Sequence, residues 1–79
     1  MADVLDEGDH YLVVAELPGV EACDVHWSMR EDRRLVIRAE SAGRRYQREI
    51  ELSEPVDADK TGFRYENGVL ELTLSKRQP

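Results

Sequence analysis

The residues of this chain that could do chemistry are few, and the most suggestive of them form an acidic run. Residues 57–62 read Asp-Ala-Asp-Lys-Thr-Gly, which matches oxygen ligands at positions 1, 3 and 5 and glycine at position 6 of an EF-hand calcium loop. The twelfth position of that loop requires a bidentate glutamate, but the residue here is Gly68. The segment also leads into a predicted strand, whereas an EF-hand loop leads into a helix. We therefore expect no calcium site in this run.

The other candidates for metal binding or nucleophilic chemistry are one cysteine and two histidines. Cys23 and His26 have C-x-x-H spacing, but a structural zinc site needs four ligands and the sequence has no second pair. We expect Cys23 to be a partly buried small residue and His26 to lie on the polar face of a strand; His10 has no matching ligand. The sequence also lacks a Ser/His/Asp order, a P-loop and a Gly-rich dinucleotide motif. These patterns predict no catalytic residue, no metal, no cofactor and no enzymatic activity.

A small basic cluster, Arg44, Arg45 and Arg48, stands out in an acidic chain. One interpretation is local neutralisation against glutamates of the same predicted strand, which stabilises little when the pairs are exposed. The other interpretation concerns Arg48, which alternation places on an apolar face with Tyr46 and Ile50. A guanidinium there needs a carboxylate, within the domain or across a subunit interface. The sequence leaves both interpretations open.

The elements that must position these residues are strands, and the clearest pair is a β-hairpin near the C-terminus. Phe63 and Tyr65 alternate with polar residues, which is the spacing of a strand with one buried face. Asn67-Gly68 is the strongest two-residue turn signal, because a type I′ turn needs positive φ at both central positions. Leucine then occupies every other position from 70 to 74. A register slip of one residue would turn these leucines into water, so the pairing should be firmly fixed.

The rest of the chain predicts further short strands and no helix of ordinary length. The predicted strands are the segments 4–5, 10–16, 24–29, 34–39 and 46–52, besides the two of the hairpin. Between them we expect a flexible polar connection at 40–45 and a loop at 53–60 with a short helical turn at 56–60, and then a polar tail over 76–79. About seven strands with frequent turn signals are typical of an all-β fold, an antiparallel β-sandwich.

The totals restrict the partners. The chain has 79 residues, enough for one small domain over residues 1–79, and its single cysteine permits no internal disulfide. The 17 acidic against 11 basic residues give a net charge of −6, which argues against nucleic acid as a partner. No apolar run approaches the roughly 20 residues of a membrane span, and the N-terminus lacks a signal-peptide core. We therefore expect a cytoplasmic protein that binds neither nucleic acid nor membranes.

Several motifs, in order along the chain, resemble those of the small heat shock protein (Hsp20, or α-crystallin) domain. The matching segments are residues 15–20 (Ala-Glu-Leu-Pro-Gly-Val), 24–25, 35–37, 46–52, 56–60 (Val-Asp-Ala-Asp-Lys) and 67–70 (Asn-Gly-Val-Leu). They are similar to the family's A-x-L-P-G-V, aromatic-x-Arg-x-aromatic-x-Leu, V-D-x-D-K and N-G-V-L patterns and its intervening strands. The resemblance covers residues 3–76, and its segments are specific as a set although each is weak alone.

The resemblance implies an immunoglobulin-like β-sandwich and an ATP-independent chaperone (holdase) of the stress response, which binds partly unfolded client proteins and prevents their aggregation. In that family a groove between the strands matching residues 24–29 and 61–66 receives an I-x-I segment of another subunit. By position, the resemblance implies a peptide groove here, lined by Val25, Trp27, Phe63 and Tyr65. Alternating aromatics on strands have an alternative interpretation as core packing, and the strand order decides between the two.

The same resemblance implies a dimer interface around the arginine that corresponds to Arg48. The connection 40–45 is far shorter than the long swapped loop of bacterial and plant members, so we do not expect a dimer formed by strand swapping there. We expect a monomer, or a dimer that pairs the edges of the 46–52 strands, with Tyr46, Arg48 and Arg45 at the interface.

Two further departures from the family pattern leave an alternative function open. Phe63 stands where the family usually has alanine, which would fill or reshape the groove, and the sequence carries no apolar N-terminal arm and no I-x-I tail. The alternative is a protein-interaction module like the CS/p23-type co-chaperones or the Hsp20-like domains attached to an ArsA/Get3-type ATPase. Such modules share the sandwich and its short loops, but they dock one specific partner.

Overall fold

A computed structural model describes residues 2–41 and 43–77 of the chain. Within those ranges it has seven β-strands: β1 (Ala2–Asp6), β2 (His10–Glu16), β3 (Val25–Arg30), β4 (Arg34–Ser41), β5 (Arg44–Glu51), β6 (Val56–Glu66) and β7 (Val69–Lys76). One turn of 3₁₀ helix, Ala22–Asp24, precedes β3. No helix in this part of the chain is long and apolar enough to cross a bilayer.

The strands form two antiparallel sheets. The four-stranded sheet has the order β1-β2-β7-β6, and the three-stranded sheet has the order β3-β4-β5. Hydrophobic side chains between the sheets form one buried cluster. The predicted all-β antiparallel sandwich of about seven strands is therefore confirmed.

The core is built from alternate residues of the inner strands, as the leucine spacing predicts. Leu70, Leu72 and Leu74 of β7 are fully buried and lie opposite inward-facing residues of β2. Leu35 and Ile37 of β4 are equally buried and supply the facing layer. Because side chains alternate between the faces of a strand, this burial fixes the register of β7 against both of its neighbours.

The turn of the C-terminal hairpin has the predicted geometry. Asn67 has φ 52° and Gly68 has φ 80°, so both central residues occupy the positive-φ region that a type I′ turn requires. Gly68 also packs against the connection after β2, because a Cβ at this position would lie 3.2 Å from the Cα of Pro18. Its carbonyl accepts a hydrogen bond of 2.7 Å from the N–H of Leu17. The turn therefore reverses the chain between β6 and β7 and also holds the connection that follows β2.

Strand β6 begins earlier than the sequence predicts, so the predicted helical turn at its start is wrong. Val56 is fully buried and pairs with Lys76, whereas Thr61 pairs with Leu74. The pairing therefore shifts register between these two points, and residues 57–60 form a β-bulge of extended chain. A bulge breaks the alternation of side chains, which explains why the sequence pattern did not indicate a strand there.

The polar connection at 40–45 is also mostly strand, which corrects the prediction of a flexible segment. Glu40 pairs with Arg45 and Ser41 pairs with Arg44, so β4 and β5 form a tight hairpin. Gly43 takes a positive φ of 82° in its turn, and Ala42 lies outside the described residues. The prediction failed because side chains that face water on an edge hairpin carry no apolar alternation.

The predicted tail begins later than residue 76. Lys76 is the last residue of β7, and Arg77 donates a backbone hydrogen bond of 3.0 Å to the carbonyl of Pro55. Residues 78–79 lie outside the described ranges.

Candidate functional site

The strands that carry the predicted groove residues are both sheet edges. Strand β3 ends the three-stranded sheet and β6 ends the four-stranded sheet, so each has one side of its backbone without a strand partner. An edge of this kind can pair with an extended peptide. The strand order, which periodicity could not give, therefore meets the condition under which these residues could line a groove.

The two edges lie on the same side of the sandwich. Near the end of β6, the Tyr65 hydroxyl contacts the carbonyl of Val20, which lies just before the 3₁₀ turn that enters β3. At the start of β6, the N–H of Val56 donates a hydrogen bond of 2.8 Å to the carbonyl of Asp32, just after β3 ends. Both ends of β6 thus contact the segments that flank β3.

The inner face of β3 presents Val25 and Trp27 between the sheets. Val25 pairs with Ala39 and Trp27 pairs with the buried Ile37, which shows that both side chains point inward. Val25 is only 7% exposed and belongs to the buried core, whereas Trp27 is half-buried and packs against that core. The accessible part of this edge is therefore Trp27.

The inner face of β6 presents Phe63 and Tyr65. Phe63 pairs with Leu72 and Tyr65 with Leu70, whose side chains are fully buried between the sheets. Phe63 nevertheless remains 44% exposed, so its ring is available to a ligand at the edge. Tyr65 is half-buried and packs against the core.

Tyr65 has a structural role that the sequence reasoning missed. Its hydroxyl lies 2.7 Å from the carbonyl oxygen of Leu17 and 2.9 Å from that of Val20, so its proton serves both acceptors. The Tyr46 hydroxyl donates to the carbonyl of Pro18 at 2.7 Å. Two tyrosines, one from an edge strand of each sheet, thus hold the Leu-Pro-Gly-Val connection. The available signal was that connection itself, because a sharp turn leaves carbonyl groups without ladder partners.

The edge of β5 carries the residues predicted for a dimer interface. Arg48 pairs with Ile37, so its half-buried side chain lies on the inner face, with its guanidinium carbon 5.9 Å from the centre of the Tyr46 ring. It donates a hydrogen bond of 2.9 Å to the carbonyl of Gln47. Within residues 2–41 and 43–77 it makes no ion pair, whereas Arg45 pairs with Glu40 at 2.7 Å. Arg45 is therefore neutralised by a glutamate of the neighbouring strand β4 and not by one of its own strand, as the first interpretation expected, while Arg48 is not neutralised within the described residues.

The residues considered for metal chemistry are dispersed. Cys23 lies in the 3₁₀ turn, which has no buried residue, and its side chain is exposed. The prediction that Cys23 is partly buried is therefore wrong. His26 lies on the outer face of β3 and is exposed, as predicted. Among the described residues, no three side chains of the His, Cys, Asp or Glu type are placed to hold a metal ion.

Comparison with known proteins identifies the relatives of this sandwich. The model of the Hsp20/alpha crystallin family matches residues 3–79. A probable 15 kDa heat shock protein of Leptospira interrogans is 32% identical over 91 residues, covering 98% of this chain and 69% of the relative. That alignment is longer than the 79 residues of this chain, so the relative carries residues with no counterpart here.

Two further similarities support the same family. An 18.6 kDa class III heat shock protein of Oryza sativa subsp. japonica is 28% identical over 102 residues, covering 98% of this chain and 59% of the relative. Heat shock protein 16.0 from Schizosaccharomyces pombe has a solved structure that superimposes with a TM-score of 0.85 at 26% identity, covering all of this chain (100%) and 67% of that one. The chain thus spans between 59% and 69% of these proteins.

Proposed function

Because the chain belongs to the Hsp20/alpha crystallin family, we propose that it is the holdase domain of an ATP-independent chaperone. Its ligands are unfolded or partly folded client proteins in the cytoplasm, which it keeps from aggregating. The observation that carries the proposal is the pair of edge strands on one side of the sandwich, each with an accessible aromatic residue.

The chemistry of these edges suits an unfolded chain. An extended apolar segment offers backbone N–H and C=O groups to an open strand edge and side chains to the aromatic rings beside it. Trp27 on β3 and Phe63 on β6 supply those rings. Main-chain pairing is independent of sequence, which fits a protein that binds many clients.

The test is suppression of aggregation of a heated enzyme, followed by light scattering without ATP. We expect suppression at equimolar ratios. Phe63→Ala should raise the ratio needed for half-suppression about fivefold, because truncating an aromatic anchor removes most of its contribution to binding. Leu5→Ala is the matched control, since Leu5 is 48% exposed on the opposite edge of the same sheet.

Failure to suppress aggregation at several-fold excess would contradict the holdase proposal. An equal loss of activity in Phe63→Ala and Leu5→Ala would contradict the assignment of the site to the β3 and β6 edges.

We propose a dimer through the β5 edges as the accompanying assembly, with Tyr46, Arg48 and Arg45 at the interface. Arg48 supports it, because a half-buried guanidinium without a carboxylate in the described chain calls for one from a second subunit. Arg48→Ala should shift the mass measured by light scattering from dimer to monomer. Arg38→Ala is the control and should leave the mass unchanged, because Arg38 is an exposed residue of β4, the central strand of the same sheet. A monomeric parent protein would refute the dimer without touching the chaperone proposal.

The short β4–β5 hairpin favours one second candidate, a module that docks a single partner such as an ArsA/Get3-type ATPase. Ser41 already pairs with Arg44, so the described chain has no long swapped loop in this connection. A pull-down that recovers one stoichiometric protein would favour the docking module. A heterogeneous set of captured proteins would favour the holdase.

A further inference from the structure

Strand β1 is attached to the sandwich mainly through its backbone. It lies at the edge of the four-stranded sheet and pairs only with β2. None of its side chains is buried: Val4 and Leu5 are 39% and 48% exposed, and Ala2 alone packs partly against the core. Its position therefore depends on the backbone ladder and on contacts at its ends, since apolar burial contributes little.

One lysine closes the end of β1 nearest the turn. The Nζ of Lys76 lies 2.7 Å from Oδ1 of Asp6 and 3.1 Å from Oε2 of Glu54. It also stands 4.8 Å from the centre of the Tyr11 ring, and the lysine side chain is only 11% exposed. This is the one ion pair that β1 makes within the described part of the chain. We call Lys76, Asp6, Glu54 and Tyr11 the lysine clamp.

The connection from β1 to β2 is short and can serve as a hinge. Gly8 takes a positive φ of 96°, and a Cβ built there would meet no atom within 4 Å. Its N–H donates to Oδ1 of Asp6 at 3.0 Å, and the N–H of Glu7 donates to the carbonyl of His10 at 2.9 Å. The carbonyl of Asp9 accepts a further hydrogen bond of 2.9 Å from the N–H of Lys76, which holds the β2 end of the turn against β7. Opening of the turn would therefore take place at Glu7 and Gly8.

Release of β1 would expose the edge of β2, whose inner face is apolar, unlike the exposed strand β1. Strand β2 carries Tyr11, Val13 and Ala15 on its inner face, all buried or nearly so. Its open side would then show unpaired backbone groups and the cation of Lys76. We call this open edge of β2, together with Lys76, the β1 slot. An incoming strand fits the β1 slot when it supplies a small residue, an aliphatic residue and a carboxylate at alternate positions, as Ala2, Val4 and Asp6 do.

We propose that β1 is an exchangeable strand, and that the β1 slot accepts β1 of a second copy of this chain, with Lys76 selecting the incoming carboxylate. A second copy is the fitting occupant because its β1 meets each requirement of the β1 slot, including charge complementarity with Lys76. The exchange uses a different edge from the β5 pairing, and it does not depend on chaperone activity.

The first test is amide hydrogen exchange of the full chain. Lys76→Gln should accelerate exchange of the β1 amides about fivefold relative to the parent, with the β7 amides unchanged. Arg64→Gln is the matched control, because it breaks a 2.7 Å pair with Glu66 on the opposite edge of the same sheet. If β1 and β7 accelerate together in Lys76→Gln, or if neither does, the proposal is wrong.

The second test detects exchange between copies by cross-linking. Leu5 and Leu12 face each other across β1 and β2 on the outer face, so cysteines at both positions can form a disulfide when Cys23 is replaced by serine. Gly8→Val should strain the turn and favour the open form, which yields covalent dimers on a non-reducing denaturing gel.

Adding Asp6→Lys to the cross-linking variant should abolish the covalent dimer, because two cations would then meet at the clamp. A dimer through the β5 edges gives only monomers on this gel, so the two assemblies are distinguished. Disulfides confined within single chains, or dimers that survive Asp6→Lys, would overturn the proposal.

Discussion

At the scale of single residues, two tyrosine hydroxyls decide where the connection after β2 lies. The Tyr65 hydroxyl donates a hydrogen bond to the carbonyls of Leu17 and Val20, and the Tyr46 hydroxyl donates one to the carbonyl of Pro18. A buried carbonyl whose hydrogen-bond donor is removed destabilises the folded state, because it has lost its hydrogen bonds to water and has no replacement. These tyrosines are thus structural residues as well as neighbours of the proposed binding edges.

Tyr65→Phe should therefore destabilise the domain by about 1–3 kcal/mol, because it leaves two partly buried carbonyls without a donor. Tyr46→Phe is the control with a smaller expected loss, since its hydroxyl serves one acceptor at an exposed site. Urea unfolding followed by circular dichroism measures both. Equal losses in the two variants would show that the shared hydrogen bond of Tyr65 has no special weight.

Asp6 is the residue whose ionisation should report on the lysine clamp. The hydrogen bond from Lys76, followed by that from the N–H of Gly8, lowers the pKa of the Asp6 carboxyl below its usual value. A lowered pKa in the folded state means that the clamp is complete above the usual pKa and is lost as the pH falls through the lowered one. Glu54 faces the same lysine. Hydrogen bonding to His10 lowers the pKa of the Asp9 carboxyl as well.

The expected result is a carboxyl resonance of Asp6 that titrates below the usual aspartate range in an NMR experiment. In Lys76→Gln the midpoint should rise toward that range, while the midpoint of Asp9 should change less. A midpoint for Asp6 that is already ordinary in the parent protein would contradict the clamp geometry.

At the scale of elements, the turn between β6 and β7 joins a local signal to a distant contact. Gly68 has φ 80° and lies against Pro18, whereas Gly43 in the β4–β5 hairpin has φ 82° and open space around it. The two glycines therefore share a backbone requirement and differ in their surroundings.

Gly68→Ala should cost more stability than Gly43→Ala. Both substitutions place a Cβ in the left-handed region, at about 1–2 kcal/mol. At Gly68 the new Cβ would also lie 3.2 Å from the Cα of Pro18, so the backbone must shift. Thermal unfolding compares the two variants directly. A Gly43→Ala variant that melts as low as Gly68→Ala would remove the role assigned to the contact with Pro18.

At the scale of the whole molecule, a 79-residue chain has a thin core, and its stability rests on few side chains. The buried cluster has leucine at its centre on β7, while the aliphatic residues of β1 remain half accessible. The free energy of unfolding that is lost when a side chain is truncated to alanine should therefore depend on how deeply the side chain is buried and not on the residue type.

Leu72→Ala should lower the free energy of unfolding by about 2–5 kcal/mol, since it opens a cavity between the sheets. That loss is a large fraction of the roughly 5–15 kcal/mol of a typical domain. Leu5→Ala removes the same atoms from an exposed site and should change stability by less than about 0.5 kcal/mol. Circular dichroism melts measure both, and comparable losses would show that the core does not dominate.

The sequence by itself determined the elements whose signals are local. Alternation predicted β3, β4, β5 and β7, and a nearly continuous run of β-branched and other apolar residues predicted β2. The Asn67-Gly68 pair predicted a turn with two positive φ angles. The three leucines of β7 lie in the core as their spacing requires. These features follow from the period of a strand and the steric limits of a turn, which act within a few residues.

Only the tertiary structure decided how distant parts of the chain meet. The hydroxyl of Tyr65 contacts carbonyls 45 and 48 residues away, and Lys76 pairs with Asp6 across 70 residues. The bulge at 57–60 depends on where Val56 and Thr61 find partners on β7. No spacing in the sequence encodes such contacts, because they depend on the order of strands in each sheet and on which edges share a side of the sandwich.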